Sequence, residues 1–372
     1  MRLKALILAG GTGTRLRPLT YAIPKQLVPV ANLPILHHVL NLIAAAGIDE
    51  IGVITNPETS AQIETSVASW QQGLPAQKVA CTFISQPAPL GLAHAVATAK
   101  DFIANSPFVM ILGDNLINVS LASLIDPFLA QPEQQASLLL KAVEAPERFG
   151  VAVLNDNAQV IRLIEKPKVA PSNLALVGIY LFRASIFQAI EHLQPSARGE
   201  LEITDAIQGL IDANHLVRAQ CHDGWWLDTG KKDDLLAANR IVLEELPPAS
   251  AFYADSVTLD ETTLNASVQI GEGSSLKNCH ISGPVVIGQH CSLSNVSLGP
   301  YTSIGDNATL ESCHIEESVL LPGITIAHWP VAIRNSLMGH HVQLIGQNGL
   351  QVQGQHSLCL ADDSILRWEQ AL

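Results

Sequence analysis

Leu259, Leu276, Leu293 and Leu310 stand seventeen residues apart, and two more apolar series keep the same step. One is Leu264, Ile281, Leu298 and Ile315; the other is Tyr253, Ile270, Ile287, Ile304 and Leu321. Gly271, Gly288 and Gly305 run in phase with them. The three series divide each period into steps of six, five and six residues, a hexapeptide pattern shortened by one. This predicts a three-faced parallel β-helix over 253–345, with one apolar residue per face in each coil. Cys279 and Cys313 share a column with Val296 between them. Two rungs of about 4.8 Å separate them by roughly 9.6 Å, beyond disulfide reach, so they are read as small buried apolar residues. His280 and His314 share another column, broken by Ser297, and are read as structural or solvated.

Ahead of the repeat, over 1–245, short apolar runs alternate with helical periodicity. Strands are expected over 5–8, 51–55, 79–84, 108–112 and 137–143, and helices over 35–46, 60–70, 93–103 and 121–129. Alternating βα units imply a mainly parallel, doubly covered sheet with ligands at the carboxyl ends of its strands. An aromatic content of only 5% agrees, because buried parallel strands prefer Leu, Ile, Val and Ala. A chain of 372 residues exceeds what one core usually organises. The expected organisation is a domain over 1–245, a linker over 246–252 around Pro247 and Pro248, the β-helix, and a tail over 346–372. A short helix is expected over 362–372.

The net charge of −13 argues against non-specific binding to nucleic acid or anionic membrane. If the substrates are phosphates, positive charge must be focused locally. No apolar stretch approaches a membrane span, and the run after Met1 is too short for a signal peptide. The six cysteines form no C-x-x-C pair and suit a reducing compartment. The expectation is a soluble, cytoplasmic protein.

Positive charge is indeed local in the opening run. An apolar strand ending at Leu8 feeds a loop with Gly10, Gly11 and Gly13, followed by Thr14, Arg15 and, ten residues later, Lys25. Glycines let backbone N–H groups approach phosphate oxygens, and the two cations complete a triphosphate cradle. The third glycine of a dinucleotide fingerprint is replaced by Leu16, and the Gly-Lys-Ser/Thr of a P-loop is absent. Asp114 follows the apolar run 108–112, and Asp228 lies in Trp225-Trp226-Leu227-Asp228. Two aspartates suit Mg²⁺, which takes few protein carboxylates and fills its octahedron with phosphate and water. Taken alone, Asp114 is a polar turn, Glu165-Lys166 an exposed charged turn, and Arg198 with the acids after it a helix start. Gln86 ends the third strand with an amide able to donate and accept, and Gly91 lets backbone approach a pyrimidine.

In this order, Leu8 to Lys25, Pro24-Lys25-Gln26-Leu27, Gln86 to Ala95, Arg198 to Asp205 and Trp225 to Gly230 resemble the sugar-1-phosphate nucleotidyltransferases. The match is to the long form of the glucose-1-phosphate thymidylyltransferase family, and it covers Leu6 to about Leu344. The resemblance implies an α/β fold: a Rossmann-like, doubly wound nucleotidyltransferase domain followed by a left-handed parallel β-helix. It implies that Leu8, Gly10, Gly11, Gly13, Thr14, Arg15 and Asp114 hold dTTP, with Gln86 and Gly91 on thymine. Asp114 and Asp228 would hold Mg²⁺. Gly150, Glu165, Val177 and Gly178 would bind glucose, and Lys166 and Arg198 its phosphate. Arg15, Lys25, Lys166 and Arg198 would be the catalytic cations. Leu33 stands where the family usually has Lys, whereas Leu90 and Phe149 fit the long form.

The implied reaction joins dTTP and glucose 1-phosphate into dTDP-glucose and pyrophosphate, for deoxysugar synthesis, in a homo-oligomer. The alternatives are the same chemistry with UTP or an amino sugar phosphate, an added acetyl-transfer activity on the β-helix, and a non-catalytic regulatory subunit of the same fold. The last should lack a metal aspartate or a phosphate cation, and here Arg15, Lys25, Asp114, Lys166, Arg198 and Asp228 are all present.

Overall fold

The computed structural model describes residues 2–11, 13–74, 79–247, 251–350 and 352–368. Two compact units result. The first is Met1–Gly11 with Ile35–Asp228; the second is Thr12–Pro34 with Thr229–Leu372. In this division Thr12–Pro34 and the last helix before the repeat group with the β-helix.

In the first unit β1 (Lys4–Leu8), β2 (Glu50–Thr55), β3 (Ala80–Ser85) and β4 (Phe108–Leu112) are parallel, in the order β3-β2-β1-β4. Ala5, Leu6 and Ile7 are wholly buried, so β1 is covered on both faces, which is why its apolar run is unbroken. Helices α1 (Ile35–Ala45), α2 (Ser60–Gln72) and α3 (Leu92–Thr98) lie between the strands in sequence. The helix expected over 93–103 breaks at Ala99, where ψ is 6°, and resumes as Lys100–Ile103. Beyond β4 the chain forms β5 (Asn115–Ile117), which leaves this sheet.

The remaining strands correct the expectation of a mainly parallel sheet. These are β6 (Gln134–Ala142), β7 (Gly150–Leu154), β8 (Val160–Glu165), β9 (Leu174–Phe182) and β10 (Leu216–Cys221). β9 runs antiparallel to β4, β6 and β7, and β8 runs antiparallel to β7; β10 is parallel to β6. The reason is connection length. β7 and β8 are joined by a tight turn in which Asn155 N donates to Gln159 O, and so short a link permits only antiparallel pairing. One face of the sheet packs Leu6, Met110, Leu138, Tyr180 and Phe182 against α3 and against α4 (Ile203–Asp212), which contributes Ile203, Ala206, Ile207 and Leu210.

In the second unit the repeat folds as a left-handed parallel β-helix with sheets of seven, seven and six strands. Leu259, Leu276, Leu293 and Leu310 stack in register, as do Leu264, Ile281, Leu298 and Ile315. The third column is Tyr253, Ile270, Ile287 and Ile304, but it continues through Leu320 and not Leu321, because one corner is a residue shorter. Corners close on left-handed residues such as Asn278, Asn295 and Asn307. Cys279 and Cys313 are buried free thiols in the core. The coils run past 345: Leu344 pairs with Leu366 across a longer corner, and Ile365–Arg367 is a strand where a helix was expected. The rest of that expected helix, 369–372, lies outside the described residues, as do Pro248–Ser250 of the expected linker; Ala251–Tyr253 is already a strand. Helix α5 (Lys232–Glu244) lies on the β-helix through buried Asn239. Its amide accepts from Ala31 N and Ser303 Oγ, both at 2.8 Å, and donates to Tyr301 O.

Candidate active site

Within the first unit, the turns at the carboxyl ends of β1 to β4 carry Gly10 after β1, Asn56 after β2, Gln86 after β3 and Asp114 after β4. Backbone bonds pin the chain there, from Ala9 N to Ile54 O, Gln86 N to Thr55 O and Gly113 N to Leu8 O. The Leu8 side chain itself is core. Asn56 escaped the sequence reading. Its Nδ2 donates to Gly10 O at 2.9 Å, while its Oδ1 accepts from Glu58 N and Thr59 N, an Asx turn ahead of α2. The polar cluster Asn56 to Ser60 before a helical run was the available signal.

Gln86 faces Gly10: its Oε1 lies 3.4 Å from where a Gly10 Cβ would stand. Its Nε2 donates to Gly91 O and contacts His94 Nδ1, each at 3.1 Å. Gly91 needs no base to explain it. Its φ is +102°, and a Cβ there would come within 2.5 Å of Leu201 O. The glycine is required by main-chain bonds that join Leu90 and Ala93 to Leu201.

Asp114 and Asp228 are brought together by β5 and β11 (Trp226–Asp228), an antiparallel pair in which Asp228 is opposite Asn115. Asn115 is buried, donates to Val177 O at 2.6 Å and accepts from Trp226 Nε1 at 2.6 Å. It thereby ties the aspartate turn to Val177 and Gly178 on β9. Gly178, at φ +83°, lies where β9 leaves Val151 on β7 and takes up Ile111 on β4. Two carboxylates of this kind are hard oxygen donors that fit Mg²⁺. No cluster of three or more His, Cys, Asp or Glu able to hold a metal occurs among the described residues.

A second cluster forms around Glu165, which is opposite Gly150 in the β7–β8 register. A Cβ on Gly150 would stand 3.1 Å from Glu165 Oε2 and 2.7 Å from Thr204 Cγ2. Lys166 Nζ and Arg198 each lie 3.4 Å from Glu165 Oε1. Arg198 is held chiefly by Glu202, a buried carboxylate that the sequence reading passed over as one acid among several. Burial works against the Arg198 charge, but Glu202, Glu200 and Glu165 outweigh it and raise its pKa. The buried Tyr180 phenol is pushed up by desolvation and then by the Glu165 charge.

The second unit carries the other cations. Gly13 has φ +61°, and a Cβ there would meet Lys25 Cβ at 2.8 Å, so the loop closes directly over Lys25. Thr20 Oγ1 donates to Gly13 O at 2.7 Å. Thr14–Leu16 is one 3₁₀ turn that exposes Thr14 and Arg15 and buries Leu16. The Arg15 guanidinium lies against Gly230, about 3.0 Å from where its Cβ would be.

Residues 4–245 match the Nucleotidyl transferase family model. A glucose-1-phosphate thymidylyltransferase of Streptomyces griseus is 41% identical over 364 residues, 97% of this chain and 98% of that one. The chain belongs to the glucose-1-phosphate thymidylyltransferase family. A family member from Streptomyces antibioticus is likewise 41% identical, over 97% of this chain and 98% of its own length. Both alignments carry through the β-helix. A crystal structure of a Bacillus anthracis protein assigned to the same family superposes with a TM-score of 0.59 at 36% identity, covering 64% of this chain and 94% of its own.

Proposed function

We propose that this chain transfers a thymidylyl group from dTTP to α-D-glucose 1-phosphate, giving dTDP-glucose and pyrophosphate. The observation that carries the reading is the grouping of Gly10, Gln86 and Asp114 at the carboxyl ends of the parallel strands, on a chain that matches its Streptomyces relatives from end to end.

In this reading a phosphate oxygen of the sugar attacks the α-phosphorus in line. The bond to the β-phosphate breaks, and pyrophosphate leaves with the electron pair. The nucleophile is already anionic, so positioning and charge neutralisation suffice. Arg15, Lys25 and the glycine loop hold the triphosphate. Lys166 and Arg198 hold the sugar phosphate and offset the repulsion between the two reactants. Gly150, Glu165, Val177 and Gly178 orient glucose. Asp114 and Asp228 hold Mg²⁺, which when bound supplies charge neutralisation on the triphosphate. UTP offers the same base edge as dTTP apart from one methyl, a difference of about 1–3 kcal/mol, so slower uridylyl transfer is part of the reading.

A homo-oligomer in the cytoplasm belongs to the same proposal. The family resemblance supports it, and no helix among the described residues is long and apolar enough to cross a membrane. Incubation with dTTP, glucose 1-phosphate and Mg²⁺, followed by mass detection of dTDP-glucose, tests the function. Product that vanishes in Asp228→Asn supports it, and no product from the unaltered chain overturns it.

A further inference from the structure

We propose that His94 is a positioning residue that fixes which face of the Gln86 amide meets the base, and so sets discrimination between thymine and cytosine. The inference rests on the thymidylyl reading above and adds to it a residue outside the base-contacting pair Gln86 and Gly91.

The geometry leaves one arrangement. Gly91 O is a carbonyl and only accepts, so the group 3.1 Å from it must be the Gln86 NH₂. Turned over, the amide would set Oε1 against that carbonyl, acceptor facing acceptor. The same NH₂ is 3.1 Å from His94 Nδ1, which must therefore accept, leaving the imidazole proton on Nε2. Both donor positions of the amide are then engaged by the protein. Its Oε1 is turned toward Gly10, where the glycine loop begins. The base therefore meets an acceptor. Thymine and uracil present N3–H to it and bind; cytosine presents an unprotonated N3 and is repelled. Gly91 O alone engages one amide hydrogen; His94 engages the second and makes the orientation rigid. His94 is in the first turn of α3, half-buried, and that helix is held by the Ala93 N to Leu201 O bond.

The test is the ratio of kcat/KM for dTTP to that for dCTP, each with glucose 1-phosphate, in the full chain. In His94→Ala and His94→Leu the ratio falls by about tenfold or more, because the amide keeps only its bond to Gly91 O and is held less rigidly. In His94→Asn, whose Oδ1 replaces the accepting Nδ1, it recovers. In a Gln86→Leu background His94→Leu adds no further change. A ratio that stays at the unaltered value in both His94→Ala and His94→Leu overturns the proposal while leaving the thymidylyl reading intact. If the unaltered chain shows no preference for dTTP, that reading fails first. Should His94→Ala not fold, His94→Leu against His94→Asn decides: equal ratios overturn the proposal, and a higher ratio in His94→Asn supports it.

Discussion

Arg198 donates to both carboxylate oxygens of Glu202 through one guanidinium nitrogen at 2.9 Å, and to Oε1 again through Nε at 3.1 Å. Glu202 is only 4% exposed, whereas the Arg198 side chain is 39% exposed. A buried carboxylate thus aims a half-exposed cation, and the fork geometry fixes its plane. In Glu202→Gln the charge and one accepting oxygen are lost, and the guanidinium is left mainly to its longer contacts with Glu165 and Glu200. KM for glucose 1-phosphate is expected to rise by about tenfold, with a smaller change in kcat. Steady-state kinetics check this, and an unchanged KM contradicts it.

Asp114→Asn and Lys166→Ala remove charge from groups assigned to the reacting phosphates, at positions that are not core. Turnover is expected to fall by about 10²-fold or more in each, with the far-ultraviolet circular dichroism spectrum unaltered. Near-normal kcat in either variant removes that residue from the mechanism.

Gly91→Ala tests a structural role of this glycine that is independent of any contact it makes with the base. At φ +102° and within 2.5 Å of Leu201 O, a methyl group forces the loop away from Leu201. A loss of about 1–3 kcal/mol or more is expected from backbone strain alone. Denaturant unfolding measures it; a variant as stable as the parent contradicts the account.

His37 gives the stability a pH dependence. Burial depresses its pKa from 6.5, the bond to Ser66 O partly restores it, and neighbouring His38 lowers it again. The unfolded chain therefore takes up a proton near pH 6.5 that the folded chain takes up only at lower pH. More protons on the unfolded state mean that stability falls as pH drops through about 6.5 and levels off below the folded-state pKa. In His37→Gln the fall in Tm between pH 7.5 and 5.5 is expected to be smaller; an equal fall contradicts this.

The β-helix columns were legible because parallel in-register stacking demands an apolar residue at the same place in every coil. The pattern faded where corners changed length. One residue fewer between Ile315 and Leu320 moved Leu321 out of its column, and a longer corner after Leu344 hid the coil containing Ile365–Arg367. In the first unit the apolar runs of the parallel strands were plain. The direction of β9 was not, since pairing direction follows from connections that leave no periodic signal. The site shows the same split. Glycines and charged residues that touch a ligand stand out by type. Asn56, His94, Asn115 and Glu202 act by hydrogen bonds to other side chains and to backbone, and nothing in their spacing announces the partner.

The measurement that bears most directly on the central claim is pyrophosphate release with glucose 1-phosphate and Mg²⁺, run in parallel with dTTP, UTP, ATP, CTP and GTP. The account predicts fastest release with dTTP, slower release with UTP and little with the other three. Preference for a purine nucleotide, or silence with all five, contradicts it.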